Sequence, residues 1–256
     1  MACMDKRSPY VLVTPYYKEP REVLERCLES VRRQTVVTDH IVVADGFPQD
    51  WVDDAGVRHI RLDRSHADFG NTPRSVGSTL AVSAGYEAIG FLDADCWLET
   101  NHVEHCLERA RLDRRDCSFV AAKRILRRLD QSVMPIRDVG PDRFIDTNCY
   151  FMLPASYGVL PVWHLMPREL TVMGDQVFFM ALKARRYRCA LATKSTVNYT
   201  NTWAVSYRHL NEPPPEDAKE NPDYSSIRRW MNGLSRQDTL DINARLGIDI
   251  HTLLKI

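Results

Sequence analysis

Residues 88–95 read Ala-Ile-Gly-Phe-Leu-Asp-Ala-Asp, an apolar run that delivers two carboxylates one residue apart. Such a run, too short for a helix, reads as a buried strand over 88–92 that is cut by Asp93-Ala94-Asp95. The same plan recurs upstream. Residues 10–14 (YVLVT) stop at Pro15, and residues 40–44 (HIVVA) stop at Asp45-Gly46. Between them, 19–33 places Val23, Leu24, Cys27, Leu28 and Val31 at helical spacing. Residues 57–62 read as a weaker strand, and 74–86 as a helix with small residues that let it pack close to a sheet. Val103, Cys106, Leu107 and Ala110 mark a further helix, and 118–126 a further strand. Alternating strands and helices imply parallel strands joined by right-handed crossovers, hence a doubly wound α/β sheet. Ligands of such sheets bind beyond the carboxyl ends of the strands. Thr14-Pro15, Asp45-Gly46 and Asp93-Ala94-Asp95 are therefore expected to converge on one crevice.

The second half is less regular. Residues 138–173 mix Pro, Gly and aromatics, and read as loops with one or two strands. A helix is expected over 174–186, with Val177, Phe178, Ala181 and Leu182 facing the core, then a strand over 189–199. Residues 212–223 contain Pro213-Pro214-Pro215 and so form a loop or lid. Residues 225–246 read as one or two terminal helices. No internal repeat or low-complexity tract is present.

Composition bounds the function. Of 256 residues, 44% are hydrophobic, which excludes a disordered chain, and 34 basic residues balance 34 acidic ones. That zero net charge argues against a nucleic-acid binder working by global electrostatics. No stretch approaches the roughly 18 apolar residues of a membrane-spanning helix. Residues 1–7 (MACMDKR) are short, end in three charged residues and lack the apolar core of a secretion signal, and the seven scattered Cys include no CxxC pair. A cytoplasmic protein with reduced thiols is expected.

Three signals carry chemistry. The alternation of a strand allows Asp93 and Asp95 to share one side. Paired carboxylates there suit a hard divalent cation, Mg²⁺ or Mn²⁺, completed by diphosphate oxygens. In Gly70-Asn71-Thr72-Pro73-Arg74-Ser75-Val76-Gly77, Pro73 fits a first helical turn, so Arg74 lies near a helix N-terminus, and both favour an anion. A carboxylate at Asp45 suits a base N–H. Each signal alone has a plainer reading, as a polar turn or a solvated helix start.

Taken in order, these stretches resemble the GT-A glycosyltransferases, in particular the family-2-like nucleotide-sugar enzymes. The family opens with a strand, Pro-x-Tyr-Asn, a helix ending Ser-x-x-x-Gln-Thr and a strand ending Val-Asp-Asp-Gly-Ser. The chain has VLVTPYYKEPREVLERCLESVRRQT and then HIVVADGFPQD. Gly, Ala-Arg-Asn-x-Gly and Phe-Leu-Asp-x-Asp are matched by Gly70, residues 73–77 and residues 91–95. A Glu-Asp pair opening a helix, with Arg and Tyr following, is matched by Gly174-Asp175, then Arg185, Arg186 and Tyr187. The resemblance covers about residues 9–200. Four positions depart from the pattern: Lys18 replaces Asn, Ala44 replaces the first Asp, Gly174 replaces Glu, and Cys96 stands where Asp or Asn is frequent.

The resemblance implies an α/β GT-A fold: a Rossmann-like, mixed, mainly parallel central sheet flanked by helices, with a C-terminal helical appendage. It implies a glycosyltransferase domain over 1–210, with 1–100 binding nucleotide and 101–210 serving acceptor and catalysis, followed by a Pro-rich loop and helices over 211–256. The donor is expected to be a UDP- or GDP-sugar and the acceptor a saccharide or lipid-linked saccharide, the latter reached by peripheral association at the inner face of a membrane. Thr14, Pro15 and Tyr17 are expected to border the base, Asp45 to bind it, Arg74 to lie against the nucleotide and Asp93 to approach the ribose. Asp95 would ligate Mn²⁺ or Mg²⁺, with Asp93 and His209 as further candidate ligands, and Asp175 would be the general base of an inverting reaction. Trp163, His164 and Trp203 are candidates for the acceptor side.

Three rivals share some of these features. A haloacid-dehalogenase-type phosphatase also ends a strand in Asp-x-Asp, but Trp97 stands where it would have Thr or Val. A sugar nucleotidyltransferase needs a Gly-rich, Arg-containing loop after its first strand, and Pro15-Tyr16-Tyr17-Lys18 is not one. A catalytically degenerate GT-A binding module is the third.

Overall fold

The apolar runs form strands because both of their faces are covered. Val11, Leu12 and Val13, like Ile41, Val42 and Val43, are fully buried. The chain is described from a computed structural model over residues 8–113, 116–136, 144–221 and 223–255. Residues 1–7 and part of the irregular stretch, 137–143, lie outside the described residues.

Eight strands form one sheet: β1 (Tyr10–Tyr16), β2 (Asp39–Ala44), β3 (Arg58–Arg61), β4 (Ala88–Phe91), β5 (Trp97–Leu98), β6 (Phe119–Arg127), β7 (Tyr150–Met152) and β8 (Cys189–Thr200). Their order is β3-β2-β1-β4-β7-β6-β8-β5. Neighbours β3, β2, β1 and β4 are all parallel. Strand β7 runs antiparallel to both β4 and β6, β8 is parallel to β6, and β5 closes the edge antiparallel to β8. The sheet is thus mixed and mainly parallel. Its order reverses at β1, where β2 lies on one side and β4 on the other. Ligands of open α/β sheets bind at such a switch point. Register brings the strand ends level there: Tyr16 lies beside Ala44, and Val13 beside Phe91.

Helix α1 (Arg21–Arg32) buries Leu24, Cys27, Leu28 and Val31, the stripe its spacing requires. Helix α2 (Asn71–Ser83) begins three residues before the expected Arg74. Asp68 explains this early start. Its Oδ2 accepts from the Thr72 backbone N–H at 2.8 Å and from the Thr72 hydroxyl at 2.6 Å, and so satisfies donors of the first turn. Pro73 falls inside that turn, where its missing N–H costs nothing. Helices α3 (His102–Leu112), α4 (Val162–Leu165), α5 (Gly174–Ala184) and α6 (Ala204–His209) follow. Of the one or two terminal helices expected over 225–246 there are two, α7 (Ser225–Gly233) and α8 (Arg236–Leu246). Ser235 separates them, because its hydroxyl caps α8 by accepting from the Asp238 N–H at 3.1 Å. Among the described residues of 138–173 there is one strand, β7. The two-residue strand β5 and the short α6 carry too little periodicity to be read from sequence.

Beneath the switch point lies an aromatic cluster. Trp163 stacks on Phe178 with ring centroids 4.3 Å apart, and Phe91 meets both rings edge-on. Tyr150 packs edge-on against Phe178 at 5.1 Å. Such pairs contribute about 0.5–1.5 kcal/mol each beyond burial. The cluster ties β4, β7, α4 and α5 together, and so fixes the start of α5 relative to the end of β4.

Candidate active site

A cleft of about 610 Å³ opens at the carboxyl ends of β1, β2 and β4. Its wall includes Pro15, Tyr17, Asp45, Arg74, Asp93, Asp95, Asp175 and Trp203. Residues scattered over most of the sequence therefore meet in one place, of a size that suits a nucleotide-sized ligand.

Each carboxylate has a distinct environment. Asp45 follows β2 and is buried. Its Oδ1 accepts from the His66 backbone N–H at 3.0 Å and pairs with His66 Nδ1 at 2.8 Å. The turn after it depends on Gly46, whose φ is +81° and whose Cα packs on the Arg64–Ser65 peptide, so close that a Cβ would lie 2.2 Å from the Ser65 nitrogen. Asp93 is clamped from two sides. The Arg74 guanidinium pairs with its Oδ1, and Asn148 Nδ2 donates to its Oδ2 at 2.9 Å. Asn148 also donates to Asp146, which pairs with Arg124 at 2.9 Å. Arg74 is itself buried: it donates to the Phe69 carbonyl at 2.8 Å and lies over the Trp163 ring.

Asp95 and Asp175 are different. Among the described residues, the Asp95 carboxylate accepts only from the Cys96 thiol, at 3.3 Å. Burial, and then the negative charge of Asp93, push its pKa up to about 6. Its backbone carbonyl accepts from Arg26 and Thr200, which fixes the backbone at Asp95 without neutralising its carboxylate. Asp175 sits in the first turn of α5, where its Oδ1 accepts from the Gln176 N–H at 2.8 Å. Burial, and then the negative charges of Asp146 and Asp93, raise its pKa to about 7 against the opposing pull of the Gln176 N–H and Arg74. A carboxylate in a cleft whose pKa is raised toward 7 is suited to accept a proton near that pH.

Gly174 has a local reason. A Cβ there would lie 2.7 Å from Asn71 Oδ1, and the Asn71 amide donates to the Thr171 carbonyl at 3.3 Å. Asn71 therefore fills the space that a larger residue before Asp175 would need.

Four sequence candidates lie elsewhere. The Thr14 hydroxyl turns away from the cleft to His40 Nε2 at 2.7 Å, and burial pushes the His40 pKa down to about 3. Trp163 is a core residue supporting Arg74 and Phe178. His164 is exposed and bonds the Ser75 hydroxyl at 2.7 Å. His209 ends α6 on the surface, outside the cleft wall. The cleft also holds residues not singled out in the sequence: Glu19, Asp68, Phe69, Asp146 and Lys219. Lys219 arrives from the Pro-rich loop because its backbone pairs with Thr202, the Lys219 N–H donating to the Thr202 carbonyl at 2.7 Å. Its charge opposes the rise in the Asp95 pKa. No motif announces it, since the pairing is long-range.

The family model described as Glycosyl transferase family 2 matches residues 11–154, more than half of the chain. The chain belongs to glycosyl transferase family 2. No curated protein matches it in sequence. Among solved structures it is similar to S. aureus TarS 1-349 in complex with UDP, at 14% identity and a TM-score of 0.56 over 78% of this chain and 62% of that one. It is likewise similar to TarS 1-349 in complex with UDP-GlcNAc, at 15% identity and a TM-score of 0.54, over 75% of this chain and 58% of that one. The family 2 chain thus spans about three-fifths of those structures, and at this identity the likeness is one of fold. No helix among its described residues is long and apolar enough to cross a membrane.

Proposed function

We propose that this family 2 chain transfers a sugar from a nucleoside-diphosphate sugar to an acceptor hydroxyl, with inversion at the anomeric carbon. One observation carries the reading: Asp175, with its pKa near 7, stands in the same cleft as the paired Asp93 and Asp95. Asp175 takes the acceptor proton as the hydroxyl oxygen bonds to the anomeric carbon. The carbon–oxygen bond to the diphosphate breaks, and its electron pair leaves on the nucleoside diphosphate. Asp45 holds the base, Pro15 and Tyr17 border it, and Arg74 orders Asp93 near the nucleotide. In this reading residues 1–100 supply the donor half of the cleft and 101–210 the acceptor half, where Trp203 offers a sugar-binding face. The acceptor is a saccharide or lipid-linked saccharide.

A divalent cation fits the donor set in one form. Asp93 is taken up by Arg74 and Asn148, whereas Asp95 is short of partners. Among the described residues no group of three His, Cys, Asp or Glu side chains could cage an ion. Asp95 would therefore hold Mn²⁺ or Mg²⁺ together with diphosphate oxygens and water, the usual pattern for Mg²⁺. Held there by Asp95, such an ion would neutralise charge on the leaving diphosphate. Lys219 adds a second positive charge to the same part of the cleft.

The reading is tested by measuring nucleoside diphosphate release from UDP- and GDP-sugars with Mn²⁺ and a panel of saccharide acceptors. Asp175→Asn is expected to lower transfer by about 10²–10⁴-fold while nucleotide affinity is kept. Unchanged turnover in Asp175→Asn would remove its role as base.

A further inference from the structure

The loop between β3 and α2 is built in a way that the fold does not need. Three of its last residues have left-handed backbone: Ala67 at φ +50°, Phe69 at +58° and Gly70 at +80°. Glycine takes that conformation freely, but a bulky aromatic residue does not. Phe69 nevertheless takes it and leaves 68% of its surface in solvent. A strained apolar side chain gains nothing from such a position in the free protein. Strain of this kind is stored where it serves a ligand.

The surroundings say which ligand. Phe69 lines the cleft, and its own carbonyl is held by Arg74. The loop wraps the ends of β1 and β2: Gly70 packs on Pro15, the Arg64–Ser65 peptide packs on Gly46, and His66 pairs with Asp45. This is the end of the cleft assigned above to the base. Beside Phe69, Asp68 is about nine-tenths buried in the cleft wall, and its Oδ1 has no hydrogen-bond partner among the described residues. A buried acceptor without a donor is costly, and a ligand N–H or O–H would relieve it. An exposed aromatic face beside an unmet acceptor matches a nucleoside, which offers a flat ring together with imide and hydroxyl donors.

We propose that Phe69 is the stacking platform for the donor's nucleobase, held in place by left-handed backbone, with Asp68 accepting a hydrogen bond from the same nucleoside. The proposal rests on the nucleotide-sugar reading. Asparagine tolerates the left-handed region and lacks the aromatic face, so Phe69→Asn separates the two costs. Its binding is measured by calorimetry with UDP, GDP and UDP-GlcNAc, and its melting temperature is compared with wild type in the absence of nucleotide. Phe69→Asn is expected to weaken binding of the preferred diphosphate about tenfold or more. The free variant is expected to melt a few degrees higher, since the strain is relieved. Phe69→Tyr should retain affinity. Unchanged diphosphate affinity would overturn the proposal, and so would a loss confined to UDP-GlcNAc, which would place Phe69 on the sugar. Weaker binding with a lowered melting temperature would overturn it as well, by marking Phe69 as a structural residue. If wild type binds neither UDP nor GDP, the nucleotide-sugar reading itself fails, and this proposal with it.

Discussion

At the scale of single residues, Asp175 is tuned by what surrounds it. Its pKa stands near 7 in the folded chain against an ordinary 3.8, so the folded state holds an extra proton between those values. Stability from this group is full below about pH 4 and is lost as pH rises through 7. Asp95, raised to about 6, acts in the same direction over a narrower range. Asp175→Asn, which cannot ionise, is therefore expected to melt above wild type at about pH 8 and level with it near pH 4, as scanning calorimetry would record. Activity runs the opposite way. A general base must be unprotonated, so transfer is expected to climb as pH passes through about 7, with the acidic limb absent from the residual activity of Asp175→Asn. A flat profile between pH 5 and 8 would contradict the assignment. The gain in stability and the loss of activity have one cause, a carboxylate kept short of partners.

At the scale of elements, close packing explains two glycines, Gly174, which departs from the family pattern, and Gly46, which keeps it. Gly174 opens α5 because Asn71, at the start of α2, occupies the neighbouring space. Gly174→Glu alone is expected to destabilise the chain by about 1–3 kcal/mol through overpacking, read as a lower urea midpoint, and Asn71→Gly should restore part of it. Gly46→Ala is expected to cost more than 2 kcal/mol, roughly, because it combines left-handed backbone with a clash against the Ser65 nitrogen that no rotamer relieves. These contacts also mark what could be read from sequence. The strands ending at Pro15, Asp45 and Asp93 were legible because an apolar run followed by a carboxylate or a proline is a local signal. The opening of α5 at Gly174-Asp175 was legible through its resemblance to the family pattern. The partnership of Asn71 with Gly174 joins residues about a hundred positions apart and leaves no local trace. Thr14 and Trp163 looked like site residues from their positions, but strand alternation turned Thr14 toward His40, and the aromatic cluster took Trp163 into the core.

At the scale of the whole molecule, the cleft depends on chain that follows the family match. Lys219 reaches it from the loop after α6, and the terminal helices close the core behind α5. Ile227, Met231, Leu246, Ile250 and Leu253 are buried in the main core cluster. Exposing such side chains costs about 1.5–3 kcal/mol each, so together on the order of 10 kcal/mol, comparable with the whole stability of a domain. Removing residues 224–256 is accordingly expected to abolish cooperative unfolding by circular dichroism; a truncated chain that still melts in one sharp transition would refute this packing. The central claim is that strand ends at a single switch point hold a nucleotide sugar, with Asp45 on the base and Asp95 by the diphosphate. It is tested most directly by the melting temperature of the full chain against a panel of UDP- and GDP-sugars, with and without Mn²⁺, since a ligand that binds the folded state raises that temperature by mass action. The account predicts a rise with donors of one base, strengthened by Mn²⁺, lost in Asp45→Ala and made independent of the metal in Asp95→Asn. No rise with any nucleotide sugar at millimolar concentration, or an unchanged rise in Asp45→Ala, would contradict it.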